Sequence, residues 1–313
     1  MRILASIILA LGLHIQLFAW SEGGHMISGA IAYKRIQATH PQLLPAMIKM
    51  LKANSYYEKF WKKEISDLEL KGEDEEMYLF MKAGTWADDA RRDKTVYSKG
   101  FNSIQNQWHY INYPLSFDNT KGEEAKPVNV LTALEKQLFE VKKKSPTSSA
   151  GEAFAWVVHL VGDMHQPLHT TALFSKKYPK GDKGGNLYYV RIQPETKAIS
   201  LHTYWDGLMG KNVNVRRTME RANSLLSKAE YMEPALEELR MNTKPEDWAK
   251  KESFAYARTH VYRNGMLNGT LPQYKDEAPL VPEDYISKSQ PFAERRVVLA
   301  GYRIAQLLIQ AFS

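Results

Sequence analysis

The sequence predicts a mainly α-helical protein, a single compact helical domain with one small β-hairpin. Three observations carry that reading. Apolar residues recur at three- and four-residue spacing along most of the 313-residue chain, the period of helices with one buried face. One pair of short segments alone shows strand character. No internal repeat, low-complexity run or Pro/Gly-rich linker divides the chain.

Taken in order, the helical stretches are HMISGAIAYKRIQ (25–37), PQLLPAMIKMLKAN (41–54), VLTALEKQLFEVKKK (130–144), SAGEAFAWVVHLVGDMH (149–165), TMERANSLLSKAEYM (218–232) and AERRVVLAGYRIAQLLIQAF (293–312). GGNLYYVRIQ (184–193) is rich in β-formers and reads as a short strand, with IQPETKAISLH (192–202) returning as its hairpin partner. Composition suits such a globule: 44% hydrophobic and 25% charged residues are ordinary for a folded soluble chain.

The N-terminus has a different character. Met1-Arg2 is followed by ILASIILALGLHIQLFA, residues 3–19, an apolar run of 17 that ends in a small residue. This is the layout of a secretory signal peptide, and the run is shorter than the ~20 residues that span a bilayer. Residues 1–19 are therefore expected to be cleaved, although Leu17, three residues before the cut, fits the small-x-small rule poorly; an uncleaved anchor is the alternative. Cleavage leaves residues 20–313 as one domain of 294 residues and frees the α-amino group of Trp20. The protein is then exported, to a periplasm or the medium, with no stable membrane association.

Charge and cysteine content narrow the chemistry. The net charge of +7 falls to +6 with the loss of Arg2, which favours anionic partners without identifying one. The chain has no cysteine, so disulfides cannot staple an exported fold. Metal ions can, because binding at a site formed only in the native state adds to folding energy.

The histidines supply candidate ligands. In HLVGDMHQPLH (159–169), His159 and Asp163 are four apart on a predicted helix and share one face. Pro167 ends that helix, so His169 comes from the exit turn. His165 is turned about 240° from His159 at ~3.6 residues per turn and points elsewhere, behind the ligands or at the surface. LHTYWDGLM (201–209) repeats the spacing with His202 and Asp206. Each pair alone also reads as an ordinary helical His–Asp hydrogen bond; two pairs in a cysteine-free chain favour zinc held by nitrogen and oxygen, since calcium or magnesium would take oxygen alone. GTWADDARRD (84–93) offers Asp88, or else a helix face of alternating charges. QWHYIN (107–112) offers His109, or else a half-buried core histidine.

Together these motifs resemble the zinc-dependent S1/P1, or type I, nucleases, which share an architecture with the bacterial zinc-dependent phospholipases C. The resemblance runs from Trp20 to about Asp206; beyond it the chain is similar only in helical character. It implies a phospholipase C/P1 nuclease-like fold and three Zn2+ per chain. One would be held by Asp88, His109, His159 and Asp163, a second by Trp20, His25 and the bridging Asp163, and the third by His169, His202 and Asp206. The Trp20–His25 spacing matches the family's ligand pair at the mature N-terminus, where amino nitrogen and carbonyl oxygen chelate zinc, so cleavage would create a ligand.

The same resemblance implies hydrolysis of single-stranded DNA and RNA to products with 5′-phosphate ends, with 3′-nucleotidase activity on nucleotides as a further possibility. A zinc-bridged water, its pKa lowered from ~15.7 toward ~7, would be oriented by Asp88 or Asp163 for in-line attack. Arg91 would neutralise phosphate charge; as an isolated residue it reads as a surface helix arginine. Tyr110 takes the place of a base-stacking aromatic, and such stacking favours single strands. Asn112 stands where fungal relatives carry Asp, so base preference can differ. Gly207-Leu208 also departs from the fungal pattern, which has a polar Asn two residues after the ligand, and GGN (184–186) resembles a family loop or is simply a glycine turn. The lack of cysteine points to a bacterial-type member; a monomer is favoured. Two alternatives stand beside this reading: a zinc-dependent phospholipase C, disfavoured by the short Trp20–His25 gap, and a non-catalytic zinc-binding protein, disfavoured by a third site whose three protein ligands leave a position open.

Overall fold

The computed structural model describes residues 20–93, 103–211 and 214–313. The expected signal segment 1–19 lies outside them. The chain is mostly helical with two small sheets, as the apolar spacing predicts. Its principal helices are α1 (Glu22–Thr39), α2 (Leu44–Lys52), α3 (Glu73–Arg92), α4 (Val130–Val141), α5 (Ser148–Met164), α6 (Leu201–Gly207), α7 (Val215–Leu226) and α8 (Glu283–Phe312).

Helix α5 is the axis of the molecule. Its start is fixed by Thr147, whose side chain accepts a hydrogen bond from the Ala150 amide. Nearly all its residues are buried, as expected of a helix that is apolar on every side. Around it pack α1, α3, α4 and α8. Helix α4 begins with a reciprocal cap between Asn129 and Thr132. Helix α3 opens with Glu73, Asp74, Glu75 and Glu76 and closes with Arg91 and Arg92, charges that complement the helix dipole at each end. Two glycines set how closely α1 and α3 cross: a Cβ at Gly29 would lie 2.4 Å from the Phe80 carbonyl oxygen, and one at Gly84 2.6 Å from that of His25. Any larger residue would force the helices, and the candidate ligands they carry, apart.

The strands differ from expectation in two ways. The expected hairpin is present but reduced to β3 (Tyr189–Val190) against β4 (Ile199–Ser200). The Tyr189 and Arg191 amides donate instead to the Thr270 and Pro279 carbonyls, so the C-terminal loops take the hydrogen bonds a longer hairpin would have used. The second sheet was not legible: β1 (Tyr113–Ser116) pairs in parallel with β2 (Thr171–Phe174), in the register Tyr113 to Thr171. Four-residue strands far apart in sequence carry no period long enough to read.

Buried apolar residues form two clusters. The larger lies among α1, α3, α4, α5 and α8; the smaller gathers Leu168, Tyr188, Trp205, Tyr262 and Tyr285. Where they meet, the loop after α5 is held from behind by buried charge. Arg296 and Arg303 of α8 both pair with Glu252, and Arg303 donates to His165 Nε2 at 2.7 Å. His165 is fully buried, which excludes its surface alternative. No described helix is long and apolar enough to cross a membrane.

Candidate metal centre

Four helices and one strand pairing bring the histidines and aspartates to the junction of the two clusters. Helix α1 supplies His25, α3 Asp88, α5 His159 and Asp163, and α6 His202 and Asp206. The β1–β2 pairing brings in the remaining two: the Ile111 amide donates to the His169 carbonyl at 2.8 Å, and His169 Nδ1 lies 2.7 Å from the His109 carbonyl.

The candidate ligand atoms fall into three buried groups, each with its atoms within 4.8 Å of one another: His25, His159 and Asp163; Asp88, His109 and His159; and His169, His202 and Asp206. Asp163 faces two ways. Its Oδ1 lies 3.3 Å from His25 Nε2, while its Oδ2 lies 3.1 Å from His109 Nδ1 and 3.2 Å from His159 Nε2. A carboxylate so placed has one oxygen for each of two neighbouring positions.

The rings are oriented as ligands need to be. His159 Nδ1 lies 2.7 Å from the Gly84 carbonyl and His202 Nδ1 2.6 Å from that of Gly184. Together with the His169 contact, each Nδ1–H donates to a backbone oxygen, which fixes the tautomer and turns the Nε2 lone pair inward. Other buried atoms have no hydrogen-bond partner among the described residues: both ring nitrogens of His25, Nε2 of His109 and Oδ1 of Asp163. Buried polar atoms left so are costly, and a cation between imidazoles and carboxylates satisfies several at once. The nitrogen and oxygen donors, with no thiolate, suit zinc.

The electrostatics point the same way. Burial, with the neighbouring His159, pushes His25 down to about 4, holding it neutral as ligation requires. Burial opposes ionisation of Asp163, but the His159 and His169 imidazoles hold its carboxyl well below the usual range. Burial raises Asp206 well above it, a penalty that a bound cation would offset.

The remaining expected residues lie around this cluster. Trp20 is buried, with its Cβ 2.8 Å from where a Cβ on Gly24 would stand, and the next amide, Ser21, donates to the Asp206 carbonyl at 2.9 Å. Trp20 and Ser21 thus sit between His25 and the third group. Arg91 is engaged with Asp88 at 3.1 Å. His25, Asp88 and Asp206, one from each group, line a single cleft of about 400 Å3. Tyr110 and Asn112 line a separate recess of about 130 Å3 beside the His109 segment, rimmed by Lys126, Lys180 and Lys183.

Sequence reasoning missed Lys211 and Gln166. Lys211 lines the main cleft and lowers Asp206 electrostatically; no periodicity announces it. Gln166 is fully buried and donates to Asp206 Oδ1 at 2.7 Å; its place inside HLVGDMHQPLH, between two candidate ligand residues, was the available signal.

Comparison with known proteins agrees with the geometry. The S1/P1 Nuclease family model matches residues 20–313. The chain is 29% identical over 257 residues to Nuclease S1 of Aspergillus oryzae (strain ATCC 42149 / RIB 40), a match covering 76% of this chain and 80% of that protein. It is 28% identical over 191 residues to Endonuclease 4 of Arabidopsis thaliana, covering 56% and 57% of the two chains. With Endonuclease 2 of the same plant it shares 27% identity over 222 residues, covering 65% and 71%.

Proposed function

The chain belongs to the S1/P1 nuclease family and is a nuclease, a phosphodiester hydrolase; within that membership we propose that it is an exported, three-zinc endonuclease of single-stranded DNA and RNA whose products end in 5′-phosphate. The family is zinc-dependent. The observation that carries the reading is the convergence of three buried His/Asp groups on one cleft, two of them sharing His159 and both faced by Asp163.

In this reading Asp88, His109, His159 and Asp163 hold one zinc, Trp20, His25 and Asp163 the second, and His169, His202 and Asp206 the third. When bound, zinc supplies Lewis acidity and brings the pKa of water from ~15.7 toward ~7. The chain's own residues do the rest. Asp88 or Asp163 is the carboxylate that would orient attacking water in line with phosphorus. Arg91, beside Asp88, adds a positive charge for the phosphate oxygens. Tyr110 presents a half-buried ring on which an unpaired base can stack, a contact that a duplex denies it. Asn112 offers an amide to the base edge, donor and acceptor both. The net charge of +6 that remains after loss of Arg2 favours a polyanionic substrate. Activity on 3′-nucleotides would follow from the same cleft.

The apolar residues 3–19 support export, with Trp20 opening the mature chain. The test uses protein beginning at Trp20, offered single-stranded DNA, RNA and phosphatidylcholine with and without chelator, with zinc counted by elemental analysis. Chelator-sensitive cleavage of nucleic acid to 5′-phosphate ends with about three zincs per chain is expected. Cleavage of lipid alone, or zinc without turnover, would overturn the proposal.

A further inference from the structure

We infer that Gln166 is a positioning residue that presents Asp206 to the third metal position through one oxygen only. The inference rests on reading Asp206 as a metal ligand.

Gln166 is hydrogen-bonded to three candidate ligand residues. Its own amide donates to the Asp163 carbonyl at 3.0 Å, and its carbonyl accepts from the His169 amide at 3.0 Å. Its side chain reaches across the junction, where Nε2 donates to Asp206 Oδ1 at 2.7 Å. The orientation of that side-chain amide is settled by its other end. Leu168 N–H, which can only donate, lies 2.5 Å from Oε1, so the oxygen must be there and the NH2 must face Asp206.

The consequence concerns the two oxygens of Asp206. Oδ1 is occupied by Gln166, whereas Oδ2 lies 3.4 Å from His202 Nε2, on the side of the third group. A carboxylate pinned in this way offers one oxygen to a cation between His169, His202 and Asp206. Released, it can rotate and offer both, filling a position that substrate would otherwise take. Gln166 is itself held firmly. The preceding residue, His165, accepts from Arg303 at Nε2 and from Arg296 at its carbonyl, and Ser253 donates to the Met164 carbonyl. The buried charges of the C-terminal helix thereby fix the turn from which Gln166 reaches the metal ligands. Outer partners of metal ligands commonly govern affinity or activity by about 10–100-fold.

The test compares wild type, Gln166→Met, which keeps the bulk and loses both the donor to Asp206 and the acceptor for Leu168, and Gln166→Glu, which keeps an acceptor for Leu168. Zinc affinity is measured by chelator competition, binding of inorganic phosphate to the zinc-loaded protein by calorimetry, and melting of the metal-free protein by circular dichroism. In both variants a single zinc should change affinity, or phosphate should bind more weakly, by about 10–100-fold, with metal-free melting close to wild type in Gln166→Glu, which keeps the Leu168 contact. Unchanged zinc and phosphate binding in both variants would overturn the assignment, as would losses matched by an equal fall in metal-free stability, since that marks a purely structural role. Wild-type protein that holds no zinc would overturn the metal reading as well, so the two failures are distinguishable.

Discussion

Removing the metals should cost this protein a large part of its stability, because it has no disulfide and places unsatisfied imidazoles at the meeting point of its two apolar clusters. A ligand that binds only the native state, at 100 times its dissociation constant, adds ~2.7 kcal/mol per site. The three proposed sites would together add about 8 kcal/mol, comparable with the ~5–15 kcal/mol that holds an ordinary domain together. With an unfolding entropy of ~2.1 cal/mol/K per residue, the 294 residues from Trp20 onward give about 0.6 kcal/mol per kelvin. Each site is then worth about 4 °C and all three about 13 °C. The assay is thermal unfolding by circular dichroism at fixed free-zinc concentrations, then with excess chelator. Expected is a melting temperature that rises with free zinc and falls by about 13 °C when zinc is withdrawn. A melting temperature indifferent to chelator would refute the reasoning, because the buried cluster would then be satisfied without a cation.

Four further outcomes follow from the same geometry. His202→Ala should lower activity by several orders of magnitude while leaving a folded protein with about one zinc fewer by elemental analysis; retained activity would remove the third group from the chemistry. One extra residue before Trp20 should reduce zinc content and activity together, and an extended protein equal to wild type would show that the α-amino group is no ligand. Tyr110→Ala should weaken single-strand binding by ~1–3 kcal/mol, about 5- to 150-fold in KM, while an unchanged KM would place base stacking elsewhere. Glu252→Gln strands Arg296 and Arg303 and should cost ~3–5 kcal/mol, about 5–8 °C. Burial opposes ionisation of Glu252, but the Arg296 and Arg303 guanidiniums hold its carboxyl well below the ordinary 4.5. Its contribution is therefore present above pH 4.5 and fades as pH falls toward the lowered folded value, so the melting gap between wild type and variant should narrow from pH 7 to pH 3; a constant gap would show that charge is not its origin.

The sequence alone determined the local facts. Three- and four-residue spacing gave six of the eight principal helices, because a helix with a buried face must repeat at that period; Glu73–Arg92 and Leu201–Gly207 were not among the stretches it marked. The i, i+4 placement of His159 with Asp163, and of His202 with Asp206, followed from helix geometry before any tertiary contact was known. The lack of cysteine and the apolar N-terminus pointed to export and to metal as the staple. What only the tertiary structure decided is how residues distant in sequence meet. The parallel pairing that places His109 against His169 consists of two four-residue strands, too short to carry a pattern, and the near-contact of Gly84 with the His25 carbonyl depends on the packing of two whole helices. The two faces of Asp163, the grip of Gln166 on Asp206 and the buried Arg296–Glu252–Arg303 group likewise arise from long-range contacts. Periodicity shows which face of a helix is buried, whereas the partner of that face is set by the packing of the entire chain.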